Sequence, residues 1–190
     1  VWMALNMLLW YTGGHGWGEY LGFPKGYAEA ELQIGVSRFW SPAFIWFYLW
    51  FLLSTALFAG FWGFFSDHKW QKWSIWGSAF ILFNIWFGVQ VSVAINAWYG
   101  PFWDMIQKML SDGGGNINDL YNGTLTFLYI AMVAVTFAVI NAFFTSHYVF
   151  RWRTAMNEYY TANWDRLRHV EGASQRIQED TMRFATIMED

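Results

Sequence analysis

Cysteine is absent from this sequence of 190 residues, and charged residues are scarce. Without a thiol, the chain holds no disulfide scaffold, no cysteine nucleophile and no zinc ribbon. Charged residues make up only 13% of the sequence, about half the fraction that a soluble domain carries. The formal net charge of -3 argues against a nucleic-acid binder, which needs a basic surface to neutralise phosphates. The 15 tryptophans instead suit a protein with much lipid–water interface.

Three stretches without a formal charge are long enough to cross a bilayer. They cover residues 42–65, 73–99 and 121–150, which are 24, 27 and 30 residues long. A helix rises about 1.5 Å per residue, so about 20 apolar residues span a hydrocarbon core of roughly 30 Å. The sequence therefore predicts three transmembrane helices in an all-α, polytopic membrane protein.

Lysine and arginine near the ends of these stretches indicate their orientation, because cytoplasmic loops are enriched in both. Lys69 and Lys72 lie between the first two spans, and Arg151 and Arg153 follow the third. The segment between the second and third spans holds only Lys108 among three aspartates. We therefore expect the loop around Lys69 and the segment after residue 150 to be cytoplasmic.

Glycine and proline mark the expected ends of the helices. The pair at 100–101 should end or kink the second span, and the Gly-rich residues 111–116 predict a loop. Neither Gly nor Pro occurs between residues 125 and 170, so the third span should continue as one rod through residues 151–170. Residues 172–174 should then break the chain, with Ser174 as the N-cap of the next helix.

The expected organisation is a single transmembrane domain, of which residues 1–190 are a fragment. Its parts are the end of a span at 1–12, a periplasmic loop at 13–41, spans at 42–65, 73–99 and 121–150, a periplasmic segment at 100–120, a cytoplasmic helix extension and turn at 151–173, and the start of the next span at 174–190.

Two carboxylates in the last segment are the main chemical signal. Glu179 and Glu189 are ten residues apart, about 15 Å along a helix, so both could line one cavity at different depths. An acid inside the membrane costs about 2.5–3.5 kcal/mol at the bilayer centre and usually serves proton or substrate transfer. The alternative is a solvated helix on which Glu179 and Arg183 form an ordinary i,i+4 ion pair.

The second span also carries polar side chains, but they have no charge. Asn84, Gln90 and Asn96 either form hydrogen bonds between helices or line a cavity. The four histidines lack the spacing of a metal site, and no nucleophile, base and orienting group can be assembled from the sequence. We therefore expect no catalytic residue, no metal and no cofactor.

A long motif around the end of the third span resembles the SbmA/BacA family of bacterial inner-membrane peptide transporters. Residues 146–160 read SHYVFRWRTAMNEYY. The similarity continues through ANW, LRH, EGA and QR to QEDTMRFA at 178–185. Upstream, SRFWS at 37–41, WQKWS at 70–74 and NAWY at 96–99 also resemble this family.

The resemblance implies a homodimeric, multi-pass importer of peptides, including antimicrobial and modified ones, that uses the proton gradient. It implies a fold related to the transmembrane domain of ABC exporters, without a nucleotide-binding domain. The expected partners are peptides, membrane lipid and a second copy of the chain. Family carboxylates that line the cavity match Glu179 and Glu189, with Arg183 expected to tune the nearer one. Gln90 stands where some members carry Glu.

An ABC-type permease or half-transporter, powered by an ATPase domain outside these residues, is the alternative. The segment 175–184 is also similar to the cytoplasmic turn of ABC permeases of the acyl-CoA type. A phosphate-binding G-x-x-x-x-G-K-[ST] motif further along the full chain would select that alternative. A membrane-bound enzyme is a third class, but the sequence offers no catalytic constellation for it.

Overall fold

The computed structural model describes residues 1–31, 33–66, 68–112, 116–169 and 171–189. Within these ranges it leaves undescribed the side chains of residues 112, 176, 184–186, 188 and 189. The chain divides into two compact units, Val1–Thr136 and Phe137–Asp190. All regular elements of the described residues are helical, with no strand among them, which confirms the predicted all-α class.

The described residues form six α-helices and two 3₁₀ helices. In order, they are α1 (Trp2–Thr12), a first 3₁₀ helix (Gly14–Leu21), a second 3₁₀ helix (Val36–Trp40), α2 (Pro42–Phe65), α3 (Gln71–Asp112), α4 (Ile117–Ala162), α5 (Trp164–Leu167) and α6 (Ala173–Glu189). Three of them, α2, α3 and α4, are long and apolar enough to cross a membrane.

Helix α2 begins where its local sequence favours a helix start. Ser41 has an extended backbone, and its hydroxyl oxygen accepts a hydrogen bond from the backbone N–H of Phe44 at 3.5 Å. Pro42 occupies the first helical position, where a missing N–H has no cost because no helical acceptor exists there. The observed range, Pro42–Phe65, is the same as that of the first predicted span.

Helix α3 does not end at Gly100 and Pro101, which was one of the two outcomes expected there. It continues through Pro101 to Asp112, a total of 42 residues. Proline removes one helical hydrogen bond, but its fixed φ is compatible with a helix. Aromatic residues before and after Pro101 in the sequence pack against each other in the continued helix. The rings of Trp98 and Phe102 stack with centroids 4.5 Å apart. Asn116 lies outside the helices, whereas residues 113–115 of the predicted loop lie outside the described residues.

Helix α4 continues without interruption past Arg151, as the lack of Gly and Pro predicted. Its 46 residues correspond to a length of about 69 Å, more than twice the hydrocarbon core. The helix ends at Ala162 and not near residue 170. At this end the carbonyl of Tyr159 accepts two hydrogen bonds from Asn163, one from its side-chain amide at 2.8 Å and one from its backbone N–H at 3.2 Å, and side-chain bonds of this kind disturb the helical pattern.

A left-handed turn separates α6 from the preceding residues. Gly172 has a φ of 73°, a conformation that glycine adopts without steric cost, and α6 begins at the next residue. Ser174, the predicted N-cap, therefore lies in the first turn of the helix. The turn at Gly172 lies within residues 172–174, where the sequence predicts a break.

Aromatic packing between α2 and α3 forms the centre of the first unit. The rings of Phe47 and Trp86 stack with centroids 4.0 Å apart, and Phe44 and Phe87 are buried beside them. The indole N–H of Trp46 donates to the carbonyl of Gly14 at 2.8 Å, which ties the first 3₁₀ helix to the start of α2. The segment before α2 is thus packed onto the end of the α2–α3 pair that contains the start of α2.

Candidate functional site

The predicted ion pair of α6 is present in the second unit. The Arg183 guanidinium lies 3.4 Å from the Glu179 carboxylate, one helical turn away. Both side chains are largely exposed, at 76% and 54% of their surface. Ile177 and Thr181, on the predicted apolar face, are half-buried. The pair therefore lies on the accessible side of an amphipathic helix, as the spacing predicted.

Glu189 ends helix α6, and its side chain lies outside the described residues. The same holds for the side chains of Phe184 and Met188, the other members of the predicted apolar face. The helical backbone runs unbroken from Glu179 to Glu189. The two carboxylates therefore lie ten residues apart on one helix, as the hypothesis that both line one cavity requires.

The polar residues of α3 differ in their surroundings. Asn84 is buried, with 6% of its surface exposed, Gln90 is half-buried, and Asn96 is exposed. The side-chain oxygen of Gln90 accepts a hydrogen bond from the Nη2 atom of Arg38 at 3.5 Å. Gln90 is therefore in a packed polar contact, whereas Asn96 faces away from the described part of the unit.

Arg38 is the buried cation of the first unit, with only 9% of its surface exposed. Its guanidinium carbon lies 5.6 Å from the ring centre of Phe44, in the geometry of a cation–π contact. Its Nε atom is buried and has no hydrogen-bond partner. No carboxylate of the described residues lies within 4.0 Å of it. Burial lowers the pKa of Arg38, because desolvation disfavours the charged form.

A second polar cluster holds the segment before α2 together. The Tyr27 hydroxyl donates to the carbonyl of His15 at 2.5 Å and accepts from the backbone N–H of Gly18 at 3.1 Å. A carboxylate oxygen of Glu19 accepts from the backbone N–H of Gly26 at 2.6 Å. Burial raises the pKa of Tyr27, and the nearby negative charge of Glu19 adds to this effect. These contacts fix a compact cap from residues 13–28.

The apolar helices expose most of their surface within the chain. In the most hydrophobic stretch of α4, only 6% of the residues are buried. Long apolar side chains that face outward include Leu128, Val135 and Phe143. Lipid or other protein surface must cover such a helix, since water would not. Among the described residues, no group of three His, Asp or Glu side chains could hold a metal ion.

A comparison with protein-family models explains why the long helices expose so much apolar surface. The model of the SbmA/BacA-like family matches residues 67–190. The chain belongs to the SbmA/BacA-like family. This is a family of membrane transporters, not a class of enzymes, and membership suggests peptide transport. The matched range contains α3 to α6, and with them Gln90, Asn96, Glu179, Arg183 and Glu189.

Arg38 is the residue of the site that sequence reasoning missed. It precedes the matched range, and in the sequence it was only one of the charges of a loop. The available signal was its position four residues before Pro42, the first residue of the predicted span. A charge so close to a span is either at the interface or buried, and only the fold distinguishes the two.

Proposed function

We propose that this protein imports peptides, including antimicrobial or modified ones, across the bacterial inner membrane as a homodimer driven by the proton gradient. The observation that carries the proposal is the family match over residues 67–190, which includes the whole of α6. The three apolar helices with mostly exposed surfaces support a membrane location. The family match also favours this function over an ATP-driven permease.

In this proposal the carboxylates of α6 carry the protons. Glu179 already faces a cation, because Arg183 lies 3.4 Å away. Glu189 stands ten residues further on, beyond the reach of an i,i+4 contact with Arg183. Glu189 is therefore the first choice for the group that binds a proton on one side of the membrane and releases it on the other. Arg183 then tunes Glu179 by holding an opposite charge one turn away.

Polar groups of α3 complete the proposed transport path. Gln90 is half-buried between α3 and the segment before α2, and Asn96 lies exposed six residues further along. Amide side chains offer both donors and acceptors, which suits the peptide groups of a substrate. We assign both residues to substrate contact and not to proton transfer, because an amide does not titrate.

The test uses the full-length transporter in proteoliposomes with a fluorescent peptide outside. An inward proton gradient should accelerate uptake, and a protonophore should abolish the acceleration. Glu189→Gln keeps the shape of the side chain but removes its titration, so gradient-driven uptake should fall to the level without a gradient while peptide binding persists.

Glu171→Gln is the matched control, since Glu171 is an exposed carboxylate in the turn before α6. This variant should transport at the wild-type rate. Normal pH-dependent uptake by Glu189→Gln would refute the coupling role of Glu189. Uptake that requires ATP and ignores the gradient would refute the proton-driven mechanism itself.

A further inference from the structure

The buried guanidinium of Arg38 has too few partners for its charge. Its described contacts are one cation–π contact with Phe44 at 5.6 Å and one hydrogen bond to Gln90 at 3.5 Å, the upper limit of such bonds. Its Nε–H group makes none. Only 9% of its own surface is exposed, and Phe44 beside it, Phe39 next to it in the chain and Phe87, whose ring lies 5.2 Å from that of Phe39, are each more than nine-tenths buried.

Such an arrangement is costly when no anion is present. Arginine stays protonated in proteins, so the burial cannot be relieved by loss of the proton. An uncompensated buried charge is strongly destabilising, whereas a hydrogen-bonded carboxylate would offset much of the desolvation. The planar guanidinium offers parallel N–H groups, a geometry that matches the two oxygens of a carboxylate. The chemistry of the site therefore suits an oxyanion, and in a peptide substrate the group of this kind that every free C-terminus carries is a carboxylate.

Gln90 occupies the position that one oxygen of such a carboxylate would take. Its amide has the shape of a glutamate side chain but no charge, and its contact with Arg38 is long and therefore weak. An incoming carboxylate can displace this oxygen and gain a charge-assisted hydrogen bond in its place. Glutamate at position 90 would instead fill the site permanently.

We propose that Arg38 and Gln90 form a subsite for the C-terminal carboxylate of the transported peptide. Arg38 lies four residues before the first residue of α2, in the segment that the distribution of lysine and arginine predicts to be periplasmic, where an imported peptide arrives. The inference rests on the proposed function, since it names the part of the substrate that this subsite recognises. The acids of the same segment and of α3 whose side chains the structure describes do not pair with this cation; they are Glu19, Glu29, Glu31 and Asp104.

The experiment compares one peptide in two forms, with a free C-terminal carboxylate and with a C-terminal amide. Binding of each form to the full-length transporter in nanodiscs is measured by fluorescence anisotropy. The free acid should bind on the order of tenfold more tightly, the size of one charge-assisted hydrogen bond. Arg38→Met should remove this preference, because it removes the cation.

Gln90→Glu is the second and sharper variant. It adds a carboxylate next to Arg38 and should also abolish the preference, without loss of the buried cation. The control Asn118→Asp adds the same charge at an exposed position of α4 and should keep the preference. Because Gln90→Glu supplies the missing anion, it should be at least as stable as the wild type, so misfolding cannot explain its result.

Three outcomes would overturn the subsite. Equal binding of the two peptides to the wild type would show that Arg38 does not meet the substrate carboxylate. If Gln90→Glu still binds the free acid more tightly than the amide, the peptide carboxylate is recognised at another site. A large loss of stability in Arg38→Met with no peptide preference in the wild type would indicate that a carboxylate of the transporter itself pairs with Arg38. Gradient-driven uptake of both peptides at equal rates would leave the proposed function standing, whereas failure to take up either one would refute it.

Discussion

A methyl group added at Gly123 should disrupt the contact between α3 and α4. A Cβ atom at this position would lie 2.7 Å and 2.9 Å from two ring carbons of Phe102, closer than real contacts allow. The Phe102 ring cannot retreat freely, because it stacks on Trp98, whose own ring packs against Phe127 at 4.8 Å. Trp98 in turn donates its indole N–H to the Gly123 carbonyl at 2.8 Å.

The expected size of the effect follows from three contributions. Overpacking in a filled contact costs about 1–3 kcal/mol. Loss of the Trp98 hydrogen bond adds about 0.5–1.5 kcal/mol. The better helix propensity of alanine returns about 1 kcal/mol. Gly123→Ala should therefore lower the free energy of unfolding by roughly 0.5–3.5 kcal/mol.

Gly88→Ala is the matched control within the same unit. Gly88 also lies in a long helix, but a Cβ atom there meets nothing within 4 Å. The added methyl group causes no overpacking there, and only the better helix propensity of alanine acts, so this variant should be slightly more stable than the wild type. Thermal unfolding of the full-length protein in detergent, followed by tryptophan fluorescence at one heating rate, distinguishes the two. Equal stability of Gly123→Ala and Gly88→Ala would refute the described packing of α3 on α4.

Two further predictions concern the topology and the cap formed by residues 13–28. Since the chain lacks cysteine, a single cysteine introduced at position 69 or 165 reports on which side of the membrane it lies. Neither should react with an impermeant thiol reagent added to intact cells, because both positions are predicted to be cytoplasmic. Reaction of either one would contradict the predicted orientation. Tyr27→Phe should cost about 1–3 kcal/mol in thermal unfolding, because the buried Gly18 N–H and His15 carbonyl lose their partner. The pKa of Tyr27 is raised in the folded state. The stabilisation that its protonated hydroxyl provides is therefore complete below pH 10 and is lost as the pH rises through the pKa of the folded state. A wild type and a Tyr27→Phe variant that lose stability equally between neutral and strongly alkaline pH would contradict this.

Features that depend on neighbouring residues could be predicted from the sequence. The bounds of α2 follow from Ser41 and Pro42 at its start and from an uncharged run of the right length. The ion pair of α6 follows from the four-residue spacing of Glu179 and Arg183 alone. The break before α6 follows from Gly172, whose left-handed backbone few other residues adopt. In each case the deciding interaction lies within one helical turn.

The end points of the longer helices were predicted less well. Pro101 lies within α3, next to Trp98, which contacts α4 through Gly123, 25 residues further along the chain. Whether a proline ends or only interrupts a helix depends on such distant packing. Helix α4 ends just before Asn163, whose side-chain amide bonds the carbonyl of Tyr159, but asparagine occurs in helices too often for this end to be foreseen.

The sequence by itself determined that this chain is helical, that it is built for a membrane and that it resembles one transporter family. These properties follow from the length of uncharged runs and from a continuous motif, both of which are local. Only the tertiary structure decided that Arg38 is buried and that Gln90, 52 residues away, is its hydrogen-bond partner. Burial and pairing of a charge depend on which distant segments fold against it, because desolvation and hydrogen bonding are set by the surrounding atoms and not by the residue itself.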